Sequence, residues 1–162
     1  MAMWQVKFAI VPRRAVAALS GREPLSLPSL QWGAADELPP DFQRQLGEVA
    51  TPGRATRSEV QTWGTEDGNR IDVGSVDGRA SSVTASVDVR RLDSRFGAML
   101  LQFARVAGAV LIRSDGVVVE PEVGQFAAAL RSSDAWRFAN DPAAFVAQYL
   151  DDEPEGDAGP ED

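Results

Sequence analysis

Apolar and polar residues alternate strictly from Ser82 to Arg90, with apolar side chains at 83, 85, 87 and 89. This pattern predicts a β-strand that has one face in a core and the other face in water. Two further strand-like segments precede it, at 58–64 and 69–76, and turn residues separate all three. The stretch 58–90 therefore predicts an antiparallel meander of three strands.

The register of this meander follows from matching apolar side chains across the strands. A loop over 77–79 pairs Ile71 with Ala85, and a four-residue loop over 65–68 pairs Trp63 with Arg70. One face of the sheet then carries mainly valine and alanine. The opposite face is polar and is predicted to carry Gln61, Trp63, Arg70, Asp72, Ser82, Thr84, Ser86, Asp88 and Arg90.

The valine face needs a cover, and the next segment supplies one. Phe96, Met99, Leu100 and Phe103 fall at helical spacing within a predicted helix over 94–107, which Asp93 or Ser94 caps. The remaining segments predict a first strand at 3–11, helices at 13–19, 41–50, 121–131 and from 142, and a hairpin at 109–113 and 117–120. Residues 21–40 are irregular, with a short strand at 29–32, and 132–140 is a connector.

These elements indicate an α+β fold built on an antiparallel sheet. The chain has 162 residues, which is typical of one domain. We expect a single domain over 1–150 and a disordered acidic tail over 151–162, because the tail is too polar to bury a core.

Charge is distributed unequally between these two parts. The net charge is −8, but the last twelve residues hold seven acids and no base, which leaves 17 acids and 16 bases in residues 1–150. A near-neutral body disfavours nucleic-acid binding, which needs a basic field. No apolar run approaches the roughly 20 residues of a membrane span, and no signal peptide is evident, so we expect a cytoplasmic protein that does not contact membranes.

The residue inventory removes many kinds of catalysis. The chain contains no histidine and no cysteine, so thiol chemistry, histidine-based triads and thiolate or imidazole metal sites are excluded. No glycine-rich phosphate loop lies between a strand and a helix. We therefore predict no cofactor and no metal centre, and we favour a protein that is not an enzyme.

The polar sheet face carries the best candidates for function. Trp63 beside Arg70 is typical of an interface anchor, and Asp72, Asp88 and Arg90 would add charge complementarity. Alternatively, Asp72 and Asp88 could serve acid–base chemistry or hold a cation.

A second, weaker candidate lies at the start of the helix over 94–107. Arg91 and Arg95 cluster there with Arg90, and helix N-termini attract anions. The residues predict a weak anion-binding site at this corner.

In its general features the chain resembles small accessory proteins of bacteria, such as the immunity partners of toxins. That resemblance implies a non-enzymatic domain that binds, and inhibits, a basic protein partner. Two alternatives stay open: a small-ligand, anion or metal-dependent protein that uses the carboxylates or arginines, and a structural protein whose polar face pairs with a second copy.

Overall fold

The structure is a computed structural model that describes residues 2–19, 32, 38–53, 59–77, 79–144 and 147. The predicted tail over 151–162 lies outside the described residues, as does the predicted strand over 29–32 apart from Trp32. The division of the chain into domains therefore stays a prediction.

Six strands form one antiparallel sheet in the order β2–β3–β4–β1–β5–β6, which confirms the α+β class and the three-strand meander. Along the chain, the helices are interspersed among the strands. The elements are β1 (Gln5–Pro12), α1 (Arg13–Leu19), α2 (Phe42–Val49), β2 (Val60–Gly64), β3 (Arg70–Val76), β4 (Arg79–Asp88), α3 (Ser94–Val106), β5 (Ala109–Arg113), β6 (Val118–Val119), α4 (Val123–Arg131) and α5 (Asp134–Asn140).

The main core lies between the inner face of the sheet and the helices α2 to α5. Phe8, Ile71 and Val83 from the sheet are fully buried, as are Phe96 and Phe103 from α3. The predicted packing of the valine face against the helix after Asp93 is therefore confirmed.

Local signals set the ends of α3. The Asp93 carboxylate accepts hydrogen bonds from the backbone N–H groups of Arg95 at 2.9 Å and Phe96 at 3.2 Å. These bonds satisfy donors that a helix otherwise leaves unpaired at its start. Gly108 has φ of 63° just after the helix, which suits a residue without a side chain.

The connector predicted over 132–140 is wrong, because residues 134–140 form the helix α5. Ser133 is its N-cap, and the Ser133 hydroxyl accepts a hydrogen bond from Trp136 N at 3.2 Å. A serine followed by an acidic residue was the signal for this helix start. Downstream, the Asp141 carboxylate accepts a hydrogen bond from Ala144 N at 3.1 Å, which agrees with the helix predicted from residue 142.

The register between β3 and β4 is as predicted, with Ile71 opposite Ala85 and Val73 opposite Val83. The route to it differs, since Val76 pairs with Arg79 and leaves two residues between the strands. The pairing shifts by one residue between Gly74 and Ser75. An irregularity inside the strands therefore replaces the extra residue expected in the loop.

A second, smaller apolar cluster lies on the outer face of the sheet. Val11, Val110 and Ile112 are buried there, and Ala15 and Val16 of α1 pack against them. The helix α1 therefore covers β1 and β5 on the side opposite the main core. Within the part of the chain that the structure describes, no helix has both the length and the apolar content needed to cross a membrane.

Candidate binding surface

The outer face of β2, β3 and β4 is polar. Among the described residues, no helix packs against this face through an apolar cluster. Its side chains are half-buried or exposed. We call this surface the open half, and it is formed by Thr62, Arg70, Asp72, Ser82, Thr84 and Ser86.

Trp63 does not lie on this surface, and the predicted pairing of Trp63 with Arg70 is wrong. Trp63 lies opposite Ile71, keeps only 5% of its surface exposed, and packs edge-on against Phe42 with ring centroids 6.0 Å apart. Its side chain therefore belongs to the main core and is not accessible as an interface anchor.

The loop before β3 explains this correction. Gly64 pairs with Arg70, so the loop holds five residues and not four, and a slip of one residue moves every side chain to the other face. Gly64 has φ of 102°, and a Cβ there would come within 2.0 Å of the Asn69 carbonyl oxygen. Gly64 was thus the signal that the turn is one residue longer than predicted.

Arg70 and Asp72 do lie on the open half, and they bind each other. The Arg70 Nε group donates to both carboxylate oxygens of Asp72 at 3.0 Å, and the Thr62 hydroxyl donates to Asp72 at 2.5 Å. Residues two apart on a strand share a face, which brings this pair together. The charge of Asp72 is thus balanced in place, while the two Nη groups of Arg70 have no partner among the described residues.

Asp88 and Arg90 form a second pair of the same kind at the end of β4. The Asp88 carboxylate accepts from the backbone N–H of Arg90 at 2.9 Å, from its Nε at 3.1 Å and from its Nη2 at 2.8 Å. Burial alone would raise the pKa of Asp88, but the hydrogen bonds and positive charge of Arg90 outweigh burial and hold the pKa below its usual value. Asp88 is therefore a stably ionised group and a poor proton donor or acceptor at neutral pH.

Arg90 also stacks on Trp4, and both residues contact the β2–β3 loop. The guanidinium carbon lies 3.9 Å from the ring centroid of Trp4, and the indole N–H donates to Asp67 O at 2.7 Å. Gln5 adds hydrogen bonds from its amide to Glu66 O at 3.1 Å and to Gly68 O at 2.6 Å. We call Trp4, Gln5, Asp88 and Arg90 the loop clamp.

Trp4 and Gln5 contribute to this clamp, although the sequence pattern did not indicate it. Their partners lie more than 60 residues away along the chain, and nothing in the local pattern connects the first strand with the loop over 65–69. Because β1 pairs with β4, Gln5 comes to lie directly opposite Asp88. The central position of β1 in the sheet thus creates the clamp.

The two candidate carboxylates are not brought together into one site. Asp72 lies opposite Thr84, as predicted, whereas Asp88 lies in the clamp, and each carboxylate has its own arginine. Among the residues that the structure describes, no three acidic side chains are grouped as a metal site would require. Asp72 and Asp88 thus belong to two separate ion pairs.

Arg91 and Arg95 lie near the start of α3, as predicted, but a side-chain carboxylate already occupies the position at which an anion would bind. The carboxylate of Asp93 already binds the first backbone N–H groups of this helix. Arg95 reaches away to Glu48 O at 3.4 Å, and the positive charge of Arg91 contributes to the low pKa of Asp88. Anion binding by Arg91 and Arg95 stays a prediction.

A cavity of about 370 Å³ lies between the start of β1, the end of β5 and the α4–α5 junction. Its most buried charge is Arg113, which donates to Asp115 at 2.8 and 2.6 Å and to Ala129 O and the Ser132 hydroxyl at 2.7 Å each. The hydrogen bond from Arg113 lowers the pKa of Asp115. Arg113 thus ties the end of α4 to the sheet, and its donors are engaged within the chain.

The fold and these surfaces define an α+β protein with a six-stranded antiparallel sheet. In the part of the chain that the structure describes, helices α2 to α5 pack on the inner face of the sheet, and α1 packs on part of the outer face. No family model, no curated protein and no solved structure matches the chain.

Proposed function

We propose that this protein is a non-enzymatic binding domain, and that the open half is the surface on which a protein partner docks. The observation that supports the proposal most is the unequal cover that the described residues give the outer face. The helix α1 shields the apolar strands β1 and β5, whereas the polar side chains of β2, β3 and β4 stay half-exposed. A polar, pre-formed surface of this kind suits recognition by hydrogen bonding.

Arg70 is the proposed anchor of this surface in place of Trp63. The Nε of Arg70 is fixed by Asp72, so the side chain is already held in one orientation, and its two Nη groups can still donate. Arginine is frequent among the residues that dominate binding energy, and pre-orientation lowers the entropy cost of binding. Thr84 and Ser86 lie on the neighbouring strand and add hydroxyl groups that can both donate and accept.

The partner is proposed to be a basic protein. Seven of the last twelve residues are acidic and none is basic. Negative charge concentrated at one end of a chain attracts a basic partner over about 8 Å at physiological salt and raises the rate of encounter. If the partner acts on an acidic substrate, the same charge competes with that substrate, which is how an immunity-type or inhibitor protein would work.

A small-ligand, anion-binding or metal-dependent function draws less support from the described residues. Asp72 and Asp88 are each bound by an arginine two residues away, and Arg113 in the cavity beside β5 is bound by Asp115, Ala129 O and the Ser132 hydroxyl. Sites built for ligands usually present polar groups that the chain leaves unpaired.

The test uses the full chain as bait for proteins of its source cells, with a variant that blocks the surface. Ser86→Arg places a third large cation beside Lys7 and Arg70, which lie directly opposite Ser86 on the two neighbouring strands. Ala128→Arg is the matched control, because it adds the same side chain at an exposed position on α4. Circular dichroism and thermal melting establish that both variants fold.

We expect the wild type and Ala128→Arg to retain the same basic protein, and Ser86→Arg to bind it at least about tenfold more weakly, which is roughly 1.4 kcal/mol. The affinity is then measured with the purified partner, and binding should weaken as salt rises. Equal retention by Ser86→Arg would remove the open half from the proposal. If the wild type retains no basic protein, the proposed function itself is wrong.

A further inference from the structure

The two edges of the sheet differ in how their backbone groups are satisfied. At the β2 edge, residues 51–53 run alongside the strand. Gly53 N donates to Thr62 O at 2.8 Å, and Gly64 N donates to Thr51 O at 2.7 Å. These bonds use outward-facing groups of β2, so the β2 edge is largely closed to another strand.

The β6 edge is open at Val118. Arg113 N donates to Val117 O at 2.9 Å, and bonded and non-bonded pairs alternate along an antiparallel ladder. The pair of Ile112 and Val118 is therefore a non-bonded one. The N–H and C=O of Val118 consequently point away from the sheet, and neither has a partner among the described residues.

The outward-facing backbone N–H groups of this edge are satisfied at Glu120 but not at Val118 in the described part of the chain. The next outward N–H, that of Glu120, donates to the side-chain oxygen of Gln125 at 3.0 Å. No such side chain serves Val118 in the described part of the chain. Apolar surface also concentrates here: of the seven large hydrophobic residues that are exposed in the described ranges, three lie within seven positions of the chain, namely Val117, Val118 and Val123.

We propose that β6 pairs antiparallel with β6 of a second copy of this chain, about a twofold axis that passes beside Val118. The N–H of Val118 then donates to the C=O of Val118 of the partner subunit, and the reverse bond forms by symmetry. The two valine side chains meet on the outer face, because directly opposed residues share a face. The result is a dimer with one continuous sheet, and it goes beyond the proposed function on the open half.

Two observations favour a second copy as the occupant. Two pairs of charges that flank the edge are already joined within the chain, Arg13 with Glu120 and Arg113 with Asp115. These four charges therefore do not oppose the approach of an identical edge. Because the β2 edge is closed by residues 51–53, pairing through β6 ends at a dimer and does not grow into a fibre.

The chain contains no cysteine, so a single introduced thiol reports on the axis directly. Residues of a hydrogen-bonded antiparallel pair have Cα atoms about 5.5 Å apart, which lies within the range that a disulfide spans. We expect Val118→Cys to form a covalent dimer under mild oxidation without denaturant. Val76→Cys is the control, because Val76 is an exposed valine at the end of β3, and it should stay monomeric.

Sedimentation of the wild type and of Val118→Lys gives an independent measurement. The lysine variant places two like charges at the axis and leaves the ladder to β5 intact, so we expect a wild-type dimer at micromolar concentration and a folded monomeric variant. A wild type that is monomeric throughout would overturn the proposal, even if a strand of another protein occupies the edge. A dimer that survives Val118→Lys, or equal cross-linking of Val76→Cys, would also overturn it.

Discussion

One row of side chains on the outer face crosses all six strands and changes character halfway. It runs through Thr62, Asp72 and Thr84 on the open half, and then through Ala9, Ile112 and Val118. The helix α1 packs on the apolar part around Ile112, whereas the polar part has no comparable cover among the described residues. All six strands pair antiparallel, so the change from polar to apolar side chains along the row marks the part of the sheet that needs a second layer.

The largest expected effect on stability comes from a residue on the inner face of the sheet, where a substitution should cost far more than on the outer face. Trp63→Ala should lower the free energy of unfolding by about 3–5 kcal/mol, because it removes a large buried side chain beside Phe42. Chemical denaturation measures this change. A loss below about 1 kcal/mol is typical of surface positions, and it would return Trp63 to the outer face.

A second prediction compares two positions of the same row. Ile112→Ala should cost about 2–5 kcal/mol, since Ile112 is fully buried under α1. Thr84→Ala should change stability by no more than about 0.5 kcal/mol, because Thr84 lies on the open half. Similar losses at both positions, measured in parallel urea titrations, would mean that the two parts of the row are equally covered.

A third prediction concerns the loop clamp. We expect Asp88 to stabilise the fold, whereas the open half is proposed to bind a partner. Asp88→Asn should cost about 1–2 kcal/mol at neutral pH, because a carboxylate that accepts charged hydrogen bonds is lost. The cost should depend on pH in a defined direction. The folded pKa of Asp88 lies below its usual value, so the ion contributes its full stability above about pH 4, where the unfolded group is ionised too.

As the pH falls below that value towards the folded pKa, the advantage of the wild type over Asp88→Asn should shrink and disappear. Thermal melting of both proteins between acidic and neutral pH checks this. An advantage that grows on acidification would contradict the clamp.

The smallest expected effect on stability lies at the edge of the outer-face region that α1 covers. Arg13 and Glu120 bind each other through two hydrogen bonds of 2.7 and 2.6 Å, but both side chains are largely exposed. Arg13→Gln should therefore destabilise the protein less than Asp88→Asn does, and high salt should remove most of the difference. A loss that persists in high salt would show that the arginine supports α1 by packing and not by charge.

The meander, the helix after Asp93 and the β3–β4 register could be predicted because they depend on local alternation and on capping residues. Two features could not be predicted in this way. The β2–β3 register depended on Gly64, whose positive φ sets the length of the turn, and apolar matching gave no independent check on it. The clamp depended on β1 inserting between β4 and β5, which is a long-range pairing that a local pattern does not encode.

The proposed docking surface requires that the open half is accessible in the folded protein, and thiol labelling tests this most directly. Thr84→Cys and Ile112→Cys each place a single thiol on the same row, one on each side of the boundary that α1 defines. We predict that Thr84→Cys reacts with a maleimide without denaturant at a rate close to that of Ser114→Cys in an exposed turn, while Ile112→Cys reacts only on unfolding. A Thr84→Cys thiol as protected as that of Ile112→Cys would contradict the open half, and with it the proposed docking surface.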